Sequence, residues 1–402
     1  MSVLKIEPSR SFRGAARIPG DKSISHRALL FNSLAHGSAR IEGLLDSADV
    51  HSTAQCLRAL GVDIEQEDGA IRVHGRGGRL KAPAGPLDCG NSGTTMRLLC
   101  GVLAGQEFDS VLVGDDSLQG RPMSRVTDPL RAMGARIGGR EDGRLAPLEI
   151  HGERLVGCEL ESLIASAQVR SALLLAGLSA EGVTRIRQPG WSRDHTERML
   201  SAMGVAVDIT QVDGLEVSIR GGQALTARDI RVPGDVSSAA FFMVAAAASE
   251  GSEVHLESVG LNPTRTGILD VLQRMGAEIA ILDRRDEGGE PVGDLLIRGR
   301  GLQGVSISGH EVPRLIDELP VIAVAASVAS GRTTVEDAGE LRVKESDRIA
   351  STVSMLTAIG ASAEERPDGF VVDGSGGVPL SGGGEILARG DHRIAMAGMV
   401  GA

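Results

Sequence analysis

Tyrosine is absent from this chain of 402 residues, and aromatic side chains together make up only 2% of it. Any core must be built from Leu, Ile, Val and Ala, and a hydrophobic fraction of 42% supplies them. Cysteine is scarce too. Cys56, Cys89, Cys100 and Cys158 fit no metal-binding or redox spacing and are too few to staple a chain of this length. Long apolar runs are missing: the longest, Ala239 to Ala248, is about half of what a membrane span needs. The opening MSVLKIEPSRSF lacks the apolar core of a signal peptide, so a soluble, cytoplasmic protein is expected. Positive charge is in deficit, 42 Lys and Arg against 53 Asp and Glu, for a net charge of −11. That excludes a broad nucleic-acid surface but not a locally basic cleft for small anions. What is plentiful is glycine, 54 residues without a collagen period, which points to a globular chain rich in tight turns. The length itself predicts two or three domains.

Repeats organise the chain. CLRALGVDI, PLRAMGARI, MLSAMGVAV, VLQRMGAEI and MLTAIGASA each read as the end of an amphipathic helix, a glycine that stops it, then a strand. Their glycines, Gly61, Gly134, Gly204, Gly276 and Gly360, lie 73, 70, 72 and 84 residues apart. Interleaved with them is a more apolar element: HRALLFNSLAHG, MRLLCGVLAG, RSALLLAGLSAEG, AAFFMVAAAASEG, PVIAVAASVASG and an unfinished RIAMAGMVGA. Helices so apolar are predicted to be buried, with the amphipathic ones outside them. Six units of this kind, the sixth incomplete, fit two domains of three. Pro19–Asp21 and Pro233–Asp235 repeat the tripeptide PGD and mark two crossings, placing one domain at 21–232 and the other at 1–20 and 233–402.

Polar and charged residues cluster where the buried helices begin: at Asp21–Arg27, Asn91–Thr95, Ser166–Gln168, Asp235–Ser238, Asp317-Glu318 and Asp391–Arg393. Unpaired N–H groups and the helix dipole favour anions at such ends, and pseudo-threefold symmetry predicts that the six converge. Lys22 and Arg27 oppose the dipole of their own first turn, which points to a bound anion rather than to a surface pair with Asp21. Gly93 permits close backbone approach, as phosphate loops require. Three loops add GDDSLQGRPM with Arg121, GWSRDHTER with Arg193, Asp194 and His195, and LRVKESDR. In the last, Lys344 and Arg348 are expected four apart on one helix face with Glu345 beside them. Trp191 and His195 are read as packing and loop residues. No Ser-His-Asp arrangement, Walker loop, GxGxxG fingerprint or metal-ligand cluster stands out.

In this order, GDKSISHR, LDCGNSGTTMR, QGRP, SAQVRSALLLAG, SRDHTER, IDELP, RVKESDR and GDHRIAM resemble the signature segments of the 5-enolpyruvylshikimate-3-phosphate synthase family, from about residue 5 to the last. The resemblance implies an α/β fold of two inside-out barrels built from six βαβαββ repeats. It also implies transfer of the enolpyruvyl group of phosphoenolpyruvate to the 5-hydroxyl of 3-phosphoshikimate, in the shikimate pathway, without metal or organic cofactor. By position, Lys22, Ser23, Arg27, Ser166, Ala167, Gln168, Arg193, Asp317 and Lys344 match the 3-phosphoshikimate site. Lys22, Gly93, Arg121, Gln168, Arg348 and Arg393 match the phosphoenolpyruvate site. Asp317 matches the proton acceptor, Glu345 a proton donor, and Lys22 completes the catalytic set. Glyphosate is implied as an inhibitor and a monomer as the working form, with no nucleic-acid or membrane partner.

Several positions depart from the family pattern. The family usually carries a further lysine after the DHR segment, beyond the last residue of this chain. Ala167 stands where some relatives have Ser, Glu340 where some have Asn, and Leu98 where many have Pro. Gly93 matches the glyphosate-sensitive type. Two alternatives are a shortened, inactive form that still binds shikimate phosphate, and the sister UDP-N-acetylglucosamine 1-carboxyvinyltransferase. The sister enzyme usually has a reactive cysteine about five residues before an Arg-Pro pair, a position held here by Asp116.

Overall fold

A computed structural model describes residues 5–8, 11–211 and 214–402. The six apolar segments are all helices: Lys22–Leu34, Gly93–Ala104, Ala167–Ser179, Val236–Ala248, Leu319–Val328 and His392–Gly401. The first five bury residues around most of their circumference, as helices enclosed by other elements do. Their starts follow capping chemistry. Asp21, Ser92, Ser166, Asp235 and Asp391 each accept a first-turn N–H on a side-chain oxygen. The Leu319 helix lacks such a bond and carries Pro320 in its first turn, where a missing N–H costs nothing.

The second element of each repeat is equally regular. Outer helices Ala48–Ala59, Ser124–Ala132, His195–Ala202, Gly267–Arg274 and Arg348–Ala358 all run into the glycines spaced along the sequence. Gly61, Gly134, Gly204, Gly276 and Gly360 have φ of 82, 97, 93, 99 and 86°, the left-handed region in which a Cβ would be strained. Strands follow at Asp63, Arg136, Val207, Glu278 and Ser362.

Among the described residues these strands form five four-stranded sheets on one plan. The strand leaving the inner helix pairs in parallel with an edge strand on one side. On its other side it pairs antiparallel with the later strand of the repeat's hairpin. Thus Ser38–Glu42 lies between Ile230–Arg231 and Ala70–His74, with Asp63–Glu67 outermost. Val183–Gln188 lies in the same way between Glu159–Glu161 and Leu215–Arg220. The sixth repeat contributes the His392–Gly401 helix.

The chain divides into two compact units, the first Met1–Ile18, Gly234–Arg285 and Pro291–Ala402, the second Pro19–Pro233 and Asp286–Glu290. Each has its own apolar core. In the first, the Val236, Leu319 and His392 helices pack against one another; in the second, the Gly93 helix packs against the Ala167 and Lys22 helices. The apolar helices therefore lie inside each unit, with the sheets and the amphipathic helices around them. Between these units the chain passes at 18/19 and 233/234 and again around the short segment 286–290. The turn Asp286–Glu290, which belongs to the second unit, has no signal in the repeat pattern.

Candidate active site

In the second unit the starts of the inner helices come together. Ser92 caps the Gly93 helix through Thr95 N at 3.1 Å, leaving Gly93 as its first residue. One turn on, Arg97 donates from Nη1 to Gln168 Oε1 at 2.8 Å, and Gln168 Nε2 donates to Thr94 Oγ1 at 3.0 Å. This amide bridge ties the Gly93 helix to the Ala167 helix. Arg121 arrives from the loop after the next strand, its Nη2 2.6 Å from Asn91 Oδ1 and 3.3 Å from Ser117 Oγ. A Cβ built on Gly93 would lie 2.7 Å from Arg97 Nη1 and 3.5 Å from Arg121 Nη1. Two guanidinium groups thus flank one helix start, both bonded only to neutral groups among the described residues. Burial, and then the positive charge of Arg121, hold the Arg97 guanidinium below its ordinary pKa. An anion placed there relieves both effects.

Lys22 and Arg27 behave differently from each other. Lys22 is half-exposed and pairs with Asp49 at 3.2 Å, not with Asp21, which caps the helix instead. Arg27 is buried, donating to Thr196 Oγ1 at 2.7 Å, Ser171 Oγ at 2.7 Å and Ser23 O at 2.9 Å. Burial lowers its pKa to about 10. Ser166 caps the helix that Ala167 opens, and Arg193 lies in the turn leading to the His195 helix.

In the first unit a different charge pattern surrounds the helix starts. Arg348, almost fully buried, donates from Nη1 to Asp317 Oδ1 at 3.0 Å, from Nε to Asp391 Oδ2 at 2.8 Å and from Nη2 to Glu345 Oε2 at 2.5 Å. Both carboxylates expected to handle protons therefore meet on one guanidinium. Arg393 reaches the carbonyl of Asp317 at 3.2 Å and its carboxylate at 3.7 Å. Burial alone would raise the pKa of Asp391, but the hydrogen bond and charge of Arg348 bring it below the usual carboxylate range. Beneath them Glu318 accepts from Ser237 Oγ, which also accepts from Arg265 at 2.6 Å; Arg265 pairs with Asp235 at 2.9 Å. Burial raises the Glu318 pKa.

Two sequence expectations are corrected. Lys344 and Arg348 share no helix face: Lys344 ends the 3₁₀ turn Gly339–Val343 and pairs with Glu340 at 3.0 Å, whereas Arg348 opens the next helix. Between them Asp347 caps that helix, accepting from Ile349 and Ala350 N at 3.1 Å each, which breaks the helical register. Trp191 is an exposed side chain, not a packing residue; His195 is buried, 2.8 Å from Glu290. Arg97 and Arg265 escaped the sequence reading, and Asp391 stood out there only as a helix start, not as the partner of Arg348. Arg97 stands four residues after Gly93, a spacing that puts it above the same helix start.

Repeat-built α/β units whose helix starts gather guanidinium groups define a class of enzyme acting on small polyanions. The sequence model for EPSP synthase (3-phosphoshikimate 1-carboxyvinyltransferase) matches residues 6–402, and the chain belongs to that family. It is 53% identical to a 3-phosphoshikimate 1-carboxyvinyltransferase of a Synechococcus species, covering 100% of this chain and 90% of the relative. Identity to that of Gloeobacter violaceus is 54%, covering 98% and 91%. The solved EPSP synthase of Acinetobacter baumannii superposes with a TM-score of 0.91 at 45% identity, covering 98% of this chain and 90% of that one. No helix among the described residues is long and apolar enough to cross a membrane.

Proposed function

We propose that the chain transfers the enolpyruvyl group of phosphoenolpyruvate to the 5-hydroxyl of 3-phosphoshikimate, releasing phosphate, as a monomer in the cytoplasm. Its free cysteines fit a reducing compartment. Two phosphates and two carboxylates bring roughly six negative charges together, so the reaction needs cations already in place. Lys22, Ser23, Arg27, Ser166, Ala167, Gln168 and Arg193 bind the phosphorylated acceptor, with Lys344 and Asp317. Gly93, Arg121, Gln168, Arg348, Arg393 and Lys22 bind phosphoenolpyruvate, and the position of Arg97 adds it to this group.

Chemistry then proceeds by addition and elimination. The 5-hydroxyl oxygen attacks C2 of the enol while Asp317 takes its proton. Glu345 protonates the methylene carbon, giving a tetrahedral intermediate. In the second half the new methyl group loses a proton, the bond from C2 to the phosphate oxygen breaks, and phosphate leaves. Arg348 orients Asp317 as the base and offers its charge to the phosphoenolpyruvate anion; Glu345, released from Arg348 by that anion, takes up a proton from solvent before it donates it.

The observation that carries this reading is the pair Arg97 and Arg121 beside the Cβ position of Gly93. In Gly93→Ala the added carbon forces Arg97 to shift. The inhibition constant for glyphosate is expected to rise on the order of tenfold or more, and KM for 3-phosphoshikimate to stay within about twofold. Steady-state kinetics decide it, and an unchanged inhibition constant contradicts the assignment.

A further inference from the structure

Arg170 and Arg348 are the largest fully buried side chains among the described residues, and Arg170 lies outside every substrate set above. A guanidinium has five N–H donors, and here each has an acceptor. Nε bonds Glu197 Oε1. Nη1 serves Gln188 Oε1 at 2.7 Å and Ser192 Oγ at 2.6 Å. Nη2 serves the carbonyls of Arg193 at 2.8 Å and Ser192 at 3.4 Å. Gln188 extends the reach: its Nε2 donates to the carbonyl of Ser166 at 3.1 Å.

This wiring joins two places. One is the start of the Ala167 helix, where Ser166 and Gln168 sit; the other is the turn carrying Ser192 and Arg193. Nothing in the packing of an apolar helix calls for a buried arginine at this position. Pairing with Glu197 offsets its desolvation but leaves a net gain in stability small at best. Its planar fork instead fixes the Ser192–Arg193 backbone relative to the Ser166 turn, which a flexible ammonium cannot do.

We propose that Arg170 is a positioning residue for the acceptor: it sets the spacing between the two backbone segments that grip the phosphate of 3-phosphoshikimate. The proposal rests on the assignment of Ser166 and Arg193 to that substrate. Arg170 itself touches no substrate, and the phosphoenolpyruvate groups Gly93 and Arg121 are not among its partners.

The test is Arg170→Lys, which keeps the charge opposite Glu197 and loses the fork. KM for 3-phosphoshikimate is expected to rise on the order of ten- to a hundredfold, as for a displaced binding group. KM for phosphoenolpyruvate and kcat should stay within about threefold. A merely structural role would move both KM values together or neither, and either result overturns the proposal. Should Arg170→Lys fail to unfold cooperatively, the Arg170→Met/Glu197→Met double variant removes both buried charges at once and carries the same expectation. A folded double variant with an unaltered KM for 3-phosphoshikimate also overturns it. Arg193→Ala separates the two claims. If it leaves that KM unchanged, the substrate assignment fails; if it raises KM while Arg170→Lys does not, only the role of Arg170 fails.

Discussion

His26 lies beneath the Gly93 helix, its Nδ1 2.7 Å from Thr53 Oγ1, in a chain of hydroxyls that runs through Thr95 to Ser92. Burial pushes its imidazole down to about 3; Lys22 and Arg27 add to the effect, and Asp49 and Asp21 oppose it. Unfolded, the same ring titrates near 6.5, so between the two values the unfolded chain binds more protons. Stability present above pH 6.5 is therefore lost as pH falls toward 3, by about 2 kcal/mol at pH 5 from this group alone. In His26→Gln the fall in stability between pH 6.5 and 5 is expected to shrink by that order, read from denaturant midpoints across the range. Equal slopes in the two proteins would contradict a buried neutral His26. At this scale the sequence was legible wherever a polar residue stood at a helix start, because little but capping or anion binding favours it there. Arg97 and Arg170 were not legible: an arginine inside a helix looks the same in sequence whether it faces solvent or a buried acceptor.

Elements were easier to read than contacts. The five C′ glycines and the six apolar helices carry local signals that survive without tertiary information, since left-handed φ and all-round burial are set by residue type. The RVKESDR segment shows the converse. Its charges fit a helix, but Ser346-Asp347 begins a new one, and a cap overrides a charge pattern. Close helix packing was also hidden. A Cβ on Gly101 of the Gly93 helix would lie 2.0 Å from the carbonyl oxygen of Ala172 in the Ala167 helix. Backbone cannot give way as a side chain does, so Gly101→Ala must separate the two helices that Gln168 bridges. The expected loss is about 2–3 kcal/mol or more in chemical denaturation. Stability within about 0.5 kcal/mol of the parent would show that the helices are not in this contact.

Across the whole molecule, a net charge of −11 coexists with guanidinium groups gathered at helix starts. In the second unit the arginines beside Gly93 hold neutral partners and stand ready for anions; in the first, Arg348 and Arg393 are occupied by carboxylates. In the proposed reaction Arg348 has two duties, ordering the carboxylates and adding charge to the phosphoenolpyruvate site. Repetition explains how one plan supplies both charge patterns, because each repeat brings a helix start inward while its neighbours differ only in which side chains occupy it. The chain spans about nine-tenths of the length of the curated relatives it matches. The most direct measurement is phosphate release by the purified 402-residue protein given 3-phosphoshikimate and phosphoenolpyruvate, with each omitted in turn. Release that requires both substrates is the predicted result. A folded sample that releases no phosphate with both present, or releases it from phosphoenolpyruvate alone, would contradict the proposed transfer.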